Sequence, residues 1–186
     1  MNQVRIIGGR WRGRKIEFPD VEGLRPTPDR LRETLFNWLA PLLPNARCLD
    51  LFAGSGALGF EALSRGAAHT VFVERDKLVC RALKSQAATF QTKDVEIVNE
   101  DALQYLTRNQ QTFDIIFLDP PFHTGLFAKS LAQLQRYPCW SSSAWLYCEI
   151  EREIAWPSMP DNWSIWREKN TKEIQCQLVN LKKLTT

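Results

Sequence analysis

The sequence predicts an α/β protein built on a mostly parallel sheet that ends in an antiparallel hairpin. From about residue 46 onward, short apolar segments alternate with amphipathic ones, which is typical of parallel strands joined by crossover helices. Beyond residue 151 two strand-like segments follow each other with only a short polar link, which indicates a hairpin. The 186 residues suffice for one such domain with a small appendage.

The first fifteen residues hold a local excess of positive charge. Five basic residues and no acid lie in MNQVRIIGGRWRGRK, whereas the whole chain carries a net charge of only +3. Glycines and Trp11 are interleaved with these charges, so the segment is expected to be flexible or to form a hairpin. Its composition suits phosphates and stacked bases, and a solvated terminal arm is the alternative.

A helix is expected to begin near Pro28 or Asp29. In RPTPDRLRETLFNWL the prolines favour a turn, and the apolar residues after them recur at helical spacing. We therefore assign residues 1–45 to a basic hairpin and helix, and residues 46–186 to the α/β domain.

The α/β domain divides into five strands and four helices before its terminal hairpin. The predicted strands are Ala46–Phe52, His69–Glu74, Val95–Val98, Phe113–Leu118 and Ala144–Ile150. The helices are expected near Ala57–Arg65, Asp76–Phe90, Ala102–Arg108 and Gly125–Gln135, the first capped by Gly66 and the second by Asp76. The hairpin strands are expected at Trp163–Arg167 and Ile174–Leu181, joined by the polar link Glu168–Glu173.

Composition excludes several classes of protein. The five cysteines are widely spaced, odd in number and without a C-x-x-C pair, which argues against a disulfide framework and a zinc site, and with two histidines no metal is expected. No segment approaches the ~20 apolar residues that a membrane-spanning helix needs. The N-terminal charges are not followed by the apolar core of a secretory signal, so the cytoplasm is the expected location.

A glycine-rich turn, DLFAGSGALG, follows the first strand of the domain. Gly54, Gly56 and Gly59 have the spacing G-x-G-x-x-G between a strand and a helix, and Glu74 ends the next strand. This combination predicts a site for an adenosine-type cofactor, with Glu74 accepting hydrogen bonds from the ribose hydroxyls.

Asp50 favours S-adenosylmethionine over a dinucleotide, and Asp101 and Ala102 are placed to contact an adenine ring. A carboxylate at Asp50 would repel a pyrophosphate but could pair with an ammonium group; alternatively, it accepts from backbone N–H groups of the loop. Asp101 ends the third strand, where it could accept from an adenine amino group while the Ala102 N–H donates to the ring. Asp101 could instead cap the following helix, or do both.

The fourth strand ends in DPPF, and two successive prolines force the chain out of the sheet there. Asp119 and the Pro120 carbonyl are two acceptors that could hold the two hydrogens of a planar exocyclic amine. Pro121 stiffens the turn, and Phe122 offers a ring on which an extruded base could stack. Alternatively, DPPF has only a structural role, in which the prolines end the strand rigidly and Phe122 fills an apolar space.

These motifs resemble a known family. DLFAGSGALG, VFVERD, NEDA and LDPPF, in this order, resemble S-adenosylmethionine-dependent methyltransferases that modify exocyclic amines of bases. RIIGGRWRGRKI and GLRPTPDRLRETLFNWL resemble the RsmD-type bacterial methyltransferases, which act on guanine N2 of small-subunit ribosomal RNA. The match covers essentially the whole chain.

The resemblance implies a Rossmann-like class I methyltransferase with a seven-stranded sheet, its last strand antiparallel, and an N-terminal extension that grips RNA. It implies S-adenosyl-L-methionine as cofactor, with catalytic Asp119, Pro120, Pro121 and Phe122. The implied cofactor contacts are Asp50, Gly54, Gly56, Glu74, Asp101 and Ala102. The implied RNA contacts are Arg10, Trp11, Arg12, Arg14 and Lys15, while Thr27 and Arg30 could approach the cofactor or the base. A small basic patch cannot read a long sequence, so the assembled ribosomal subunit is the expected substrate.

Other functions remain open at this stage. An amino methyltransferase acting on adenine or cytosine of nucleic acid, or on a protein glutamine, would use nearly the same chemistry. A nucleic-acid-binding module with a vestigial cofactor fold would need neither the glycine loop nor its acids. A dehydrogenase is disfavoured by Asp50 and by the lack of an evident histidine or lysine acid-base partner.

Overall fold

The computed structural model describes residues 1–21, 24 and 26–182 of the chain. Its strands are β1 (Asn2–Arg5), β2 (Lys15–Phe18), β3 (Arg47–Asp50), β4 (His69–Glu74), β5 (Val95–Asn99), β6 (Phe113–Leu118), β7 (Trp140–Glu151), β8 (Trp163–Asn170) and β9 (Ile174–Leu181). Its helices are α1 (Asp29–Leu39), α2 (Ala57–Ser64), α3 (Lys77–Thr89), α4 (Ala102–Arg108) and α5 (Leu126–Arg136). Within the described ranges, no helix has the length and apolar character needed to cross a membrane.

Seven strands form one sheet in the order β5-β4-β3-β6-β7-β9-β8, and β1 pairs with β2 in a separate two-stranded sheet. Strand β9 is antiparallel to both β7 and β8, whereas the other pairings within the large sheet are parallel. The predicted mostly parallel sheet with a terminal antiparallel hairpin is therefore confirmed. The strand order reverses between β3 and β6, which makes a topological switch point.

Both faces of the central strands are covered, which explains why their sequences are apolar throughout. Ile115 and Phe117 of β6 pack into a core with residues of α1, α2 and α3. Ile116 and Leu118 pack into a second core with residues of α4 and α5. Burial of each such side chain contributes roughly 1.5–3 kcal/mol, so this alternation holds the helical layers on both sides of the sheet.

Most predicted elements agree with the structure, and three differ. Strand β8 continues to Asn170 rather than Arg167, because the first three residues of the predicted link Glu168–Glu173 pair with β9. The first strand of the domain ends at Asp50 rather than Phe52, because the chain leaves the sheet to form the glycine loop. Strand β7 begins at Trp140 rather than Ala144. A register irregularity opposite Phe113–Ile115 accommodates its first residues, and the serines there concealed the strand in the sequence pattern.

The N-terminal segment is a hairpin docked on the domain, not a flexible arm. The buried Glu61 of α2 accepts hydrogen bonds from the backbone N–H groups of Ile7 and Gly8, each at 2.8 Å. Ser64, one turn later, accepts from the Trp11 N–H at 2.9 Å and donates to the Gly8 carbonyl at 2.6 Å. Helix α2 thus satisfies backbone groups of the loop between β1 and β2.

Two arginines balance the charge of Glu61. Arg65 Nε lies 2.7 Å from Glu61 Oε1, and Arg32 NH1 lies 3.6 Å from Oε2. Arg32 is itself fully buried, and its guanidinium also donates to the Arg5 carbonyl at 2.9 Å. One buried carboxylate therefore links the hairpin, α1 and α2.

We predict that Glu61→Ala lowers the free energy of unfolding by about 3–5 kcal/mol, because it removes one of the two carboxylates that pair with the buried Arg32 and leaves two backbone N–H groups without an acceptor. Urea-induced unfolding of both proteins measures this difference. Glu17→Ala is the matched control, since its carboxylate accepts from Gln3 on an exposed face of the hairpin. A change within about 0.5 kcal/mol is expected there. Equal losses in the two variants would contradict the role assigned to Glu61.

Candidate active site

A cavity of about 960 Å³ opens at the carboxyl ends of the central strands, beside the switch point between β3 and β6. The loops after β3, β4, β5 and β6 contribute to its walls, as expected for ligand sites in open α/β sheets. The predicted site residues that line it are Asp50, Gly54, Glu74, Asp101, Ala102, Asp119, Pro120, Pro121 and Phe122. The fold therefore brings together residues that are up to 72 positions apart in sequence, from Asp50 to Phe122.

The glycines of the loop after β3 have different physical roles. Gly54 lies at the cavity wall, whereas Gly56 is not among the lining residues. At Gly56 the backbone φ is +77°, and a Cβ atom there would come within 2.6 Å of the Leu83 side chain and 2.8 Å of the Phe60 ring. A Cβ at Gly59 would come within 2.2 Å of the Phe72 ring, so this glycine allows α2 to pack closely on β4. Gly56 therefore lets the loop pack against Leu83 and Phe60 without lining the cavity itself.

Glu74 holds the glycine loop in place. Its Oε2 accepts from the Gly54 N–H at 3.0 Å, and its Oε1 accepts from the Asp76 N–H at 2.8 Å. Each carboxylate oxygen can accept more than one hydrogen bond, so the lone pairs that remain could still bind ribose hydroxyls. The predicted cofactor contact remains a prediction, and the structure adds a loop-stabilising role to it.

Asp50 is buried at the base of the cavity and accepts from the Gly59 N–H at 3.0 Å. This is the backbone interaction that the sequence left open as an alternative, reached in the first turn of α2. Burial raises the pKa of Asp50 to about 7, against the lowering effect of the Gly59 hydrogen bond. The carboxyl group is therefore poised between its neutral and charged forms near neutral pH.

Asp101 caps helix α4, as the alternative interpretation proposed. Its Oδ1 accepts from the Leu103 N–H at 2.9 Å and the Gln104 N–H at 3.2 Å. The same residue lines the cavity together with Ala102, the first residue of α4. The cap leaves Oδ2 available, so capping does not conflict with the predicted contact to an adenine amino group.

Asp119 stands where the chain leaves β6, and its Oδ2 accepts from the Thr27 hydroxyl at 3.1 Å. Burial raises the pKa of Asp119 to about 7. Thr27, which the sequence placed at the lip of the site, is buried and lines the cavity. Arg30, named with it, is exposed on α1 and is not among the lining residues.

Glu149 is a buried carboxylate of the cavity wall that the sequence analysis missed. It lies on β7 and is 3% exposed, and its Oε2 accepts from the Tyr147 hydroxyl at 2.7 Å. Burial and the neighbouring Asp119 raise the pKa of Glu149 well above its usual range. The available signal was a single acid within the otherwise apolar run WLYCEI, a position that sheet periodicity alone does not mark as functional.

The residues predicted to contact RNA do not line this cavity, and the prediction for Trp11 is wrong. Trp11 is 6% exposed and stacks on Phe90 with ring centroids 4.5 Å apart, so its ring faces the core and cannot stack on a base. Arg10 pairs with Asp94 at 3.6 Å, and Arg14 donates to the Thr89 carbonyl at 2.7 Å.

Lys15 remains exposed at the start of β2, and Arg12 is exposed in the preceding loop. Two further cationic residues, Arg152 and Lys172, line the cavity from loops beyond β7 and were not predicted. Nothing in the local sequence distinguished them from ordinary surface charges.

We predict that the free energy of unfolding of Asp50→Asn increases relative to that of the original protein as the pH rises from about 4 to about 7. In this window the folded state keeps a proton on Asp50 that the unfolded chain has released, so Asp50 lowers stability with rising pH. Asparagine removes this dependence and keeps an oxygen for the Gly59 N–H. Plotted against pH, the difference between the free energies of unfolding of the two proteins is expected to change by at most about 1.4 kcal/mol per pH unit.

Unfolding by urea at several pH values measures this effect. Asp50→Ala is the control, because it also removes the titrating group but leaves the Gly59 N–H without its acceptor. It should show the same pH trend with a constant penalty of about 1–3 kcal/mol. Parallel stability curves for the original protein and Asp50→Asn would show that the buried carboxyl is not protonated on folding.

Comparison with known proteins agrees with this architecture. A family model described as conserved hypothetical protein 95 matches residues 4–180. The ribosomal RNA small subunit methyltransferase D of Escherichia coli strain K12 is 47% identical over 176 residues, which cover 95% of this chain and 89% of that protein. The protein of the same name from Haemophilus influenzae is 44% identical over 180 residues, covering 95% and 93% of the two chains.

Solved structures show the same fold. The structure of yhhF from Escherichia coli, described as a candidate methyltransferase, is 43% identical and superposes with a TM-score of 0.90, covering 97% of this chain and 99% of that one. A candidate methylase from Haemophilus influenzae is 39% identical with a TM-score of 0.84, covering 98% and 100% of the two chains.

Proposed function

The chain belongs to the conserved hypothetical protein 95 family, and from this membership and the geometry of the cavity we propose that it transfers a methyl group from S-adenosylmethionine to the N2 amine of a guanine in small-subunit ribosomal RNA. The observation that carries the proposal is the placement of Asp119 and Pro120 on the wall of the cavity that the glycine loop also lines. The Asp119 carboxylate and the Pro120 carbonyl would be the two acceptors. The names of the relatives from Escherichia coli and Haemophilus influenzae support ribosomal RNA as the substrate.

The charge of the cavity fits S-adenosylmethionine. Acidic side chains line it at Asp50, Glu74 and Asp101, and a group bearing ammonium and sulfonium charges is attracted by them, whereas a pyrophosphate is repelled. Glu74 would accept from the ribose hydroxyls, Asp101 from the adenine amino group, and Asp50 would face the ammonium directly or through water. S-adenosylmethionine supplies, when bound, an electrophilic methyl group on sulfur.

The residues of DPPF would position the amine. Asp119 and the Pro120 carbonyl each accept one hydrogen of the planar amine, which directs the nitrogen lone pair toward the methyl carbon. As the carbon–nitrogen bond forms and the carbon–sulfur bond breaks, Asp119 takes the proton that the nitrogen loses. Phe122, half-buried at the cavity, would stack on the extruded base.

A groove of about 410 Å³ would carry the flanking RNA to the cavity, with which it shares Pro26, Thr27 and Pro28. Arg5 and Lys15 line this groove and lie directly opposite each other in the β1–β2 pair. Like charges in that position repel, and a phosphate between them would offset the repulsion. Arg5 therefore joins the predicted RNA contacts.

The docked hairpin and α1, within residues 1–45, would then act as the RNA-binding unit. Residues 46–186 would be the catalytic domain, and the last four of them lie outside the described part of the chain. Arg5, Arg12 and Lys15 are among its exposed cations, and Arg10 and Arg14 would contact phosphates from their positions beside Asp94 and Thr89. So small a surface supports selection by RNA shape or by neighbouring ribosomal proteins, and thus the assembled subunit as substrate. Equal methylation rates for protein-free RNA and subunits would contradict that last point.

Transfer of labelled methyl from S-adenosylmethionine to small subunits from cells lacking this gene tests the function, with mapping of the modified nucleotide. We predict label on a guanine N2. The methylation rate of Asp119→Ala should fall by about 10²–10⁴-fold, because the amine loses both a hydrogen-bond acceptor and the base that takes its proton. Asp114→Ala is the matched control on the same strand, where the carboxylate accepts from the Arg47 N–H at the opposite end of β6. Label on adenine, cytosine or a protein glutamine would replace guanine as the target.

The double variant Arg5→Ala/Lys15→Ala is predicted to weaken RNA binding and to reduce the slope of log affinity against log salt by about 1, because phosphate contacts release counterions. Affinity for S-adenosylmethionine should be unchanged. Binding measured across a range of salt concentrations gives both quantities.

Arg136→Ala is the control, since this exposed residue ends α5 and lines neither the cavity nor the groove. An unchanged slope in the double variant would remove the groove from the RNA interface.

A further inference from the structure

The side chain of Arg32 is fully buried in helix α1, and its guanidinium group hydrogen-bonds to several segments of the chain. Its Nε donates to the Thr27 carbonyl at 3.2 Å, and its Nη2 donates to the Arg5 carbonyl at 2.9 Å. The same Nη2 pairs with Asp29 at 2.6 Å, and Nη1 lies 3.6 Å from Glu61. Burial of a charge is costly, and an apolar side chain would fill the space without that cost. The presence of an arginine is therefore explained by its hydrogen-bond partners and not by packing.

Two of these partners belong to opposite walls of the groove described above. Arg5 lines the groove from the β1–β2 hairpin, and residues 26–29 line it from the segment before α1 and the first residue of that helix. Arg32 is not among the lining residues, so it lies behind the groove and binds a backbone carbonyl of each wall. One guanidinium therefore fixes the spacing of the two walls.

Thr27 connects this groove to the cavity. It is buried and lines both of them, and its hydroxyl donates to Asp119 Oδ2 at 3.1 Å. This contact leaves Oδ1 as the acceptor for the amine in the proposed reaction. Because the prolines on either side of Thr27 have no N–H group, the segment is not suited to pairing with a strand. The Thr27 carbonyl is held instead by Arg32.

The guanidinium group is suited to this task because its N–H donors lie in one plane and point in fixed directions. It can therefore hold two carbonyl groups from separate segments at a defined spacing. A lysine at position 32 would keep the positive charge, but it has a single nitrogen on a flexible stem. We expect it to bind these carbonyls without fixing where they lie relative to each other.

We propose that Arg32 is a positioning residue that holds Thr27 where its hydroxyl orients Asp119, and that keeps the groove aligned with the cavity. The inference rests on the proposed function for its catalytic consequence. Arg32 lines neither the cavity nor the groove, so it acts through Thr27 and Arg5. Its loss would slow the reaction because Asp119 loses its orientation, and it would weaken RNA binding because the groove loses its fixed width.

The kinetics of methyl transfer to small subunits separate these two consequences. Arg32→Lys should lower kcat about tenfold and raise KM for the subunit about threefold. Thr27→Val lacks the hydroxyl but keeps the carbonyl that Arg32 binds, so it should lower kcat by a similar factor while KM changes by less than about twofold. The affinity of both variants for S-adenosylmethionine should stay within about twofold of the original value.

The double variant Thr27→Val/Arg32→Lys tests whether Arg32 acts through Thr27. Both single changes disturb the same contact to Asp119, so their effects on kcat should not multiply. We expect kcat of the double variant to lie within about twofold of the lower single variant. A fall in kcat equal to the product of the two single effects would overturn the proposal.

Arg65→Met is the matched control. Arg65 pairs with the buried Glu61 just as Arg32 does, but among the described residues it is hydrogen-bonded to neither Thr27 nor Arg5. The control therefore disturbs the same buried ion pairs without touching the groove or Asp119. Its kcat and KM should stay within about twofold of the original values. A loss of kcat as large as that of Arg32→Lys would contradict the proposal.

NMR titration of the full-length protein with labelled carboxyl carbons tests the contact at Asp119 without any substrate. Asp119→Asn assigns the signal, which should titrate near pH 7 in the original protein. The hydrogen bond from Thr27 lowers the pKa of Asp119, so its loss should raise the midpoint by about 0.5–1 pH units in Thr27→Val and in Arg32→Lys. Arg65→Met should leave the midpoint unchanged. All these variants retain the other titratable groups near Asp119, which are Asp50 on β3 and Tyr147 and Glu149 on β7.

Two titration results would overturn the proposal. One is a midpoint that rises in Thr27→Val but not in Arg32→Lys, since Arg32 would then not hold Thr27 at Asp119. The other is an unchanged midpoint in Thr27→Val, which needs no change at Arg32. If Arg32→Lys does not fold, Arg32→Gln takes its place in every measurement. Failure of methyl transfer by the original protein on all substrates would refute the proposed function, whereas the titration would still decide whether Arg32 acts on Asp119.

Discussion

The pairing of β3 with β4 on one side and β6 on the other is the constraint on which the candidate site depends. Asp50 lies beside Phe72 in one register and beside Phe117 in the other, so the ends of β3 and β6 are neighbours. The helix that follows β3 covers one face of the sheet and the helix that follows β6 covers the opposite face. The two loops therefore diverge above the strands, and the space between them is the cavity in which the glycine loop and DPPF meet.

The electrostatics of this cavity distinguish it from an ordinary apolar cleft. Three carboxyl groups, Asp50, Asp119 and Glu149, are held there with pKa values raised chiefly by burial. Each is tolerated because it has a hydrogen-bond partner: the Gly59 N–H, the Thr27 hydroxyl and the Tyr147 hydroxyl, respectively. Such an arrangement suits a cationic cofactor and a neutral amine. In the proposed reaction, Asp119 would be the base, and burial raises its pKa to about 7.

Under the proposed function, the N-terminal hairpin would connect this chemistry to a macromolecular substrate. Its rigidity comes from Glu61 and Ser64 of α2, which satisfy backbone groups of the loop, and from the stacking of Trp11 on Phe90. Arg5 and Lys15 are thereby held at a definite position beside the segment that carries Thr27. Because the same segment hydrogen-bonds Asp119, a phosphate bound in the groove would lie close to the acceptor of the proposed reaction.

Local patterns in the sequence determined most of the fold and the centre of the site. Strand β4, helix α4 and strand β6 have the bounds that periodicity predicted, since each depends on neighbours within a few residues, and the same holds for the glycine loop and DPPF. What only the tertiary structure decided involves partners far apart in sequence. Trp11 is buried because Phe90 lies beneath it, and Glu149 belongs to the site because β7 pairs with β6. Which partners meet is set by how the helices and strands pack, and no local pattern carries that information.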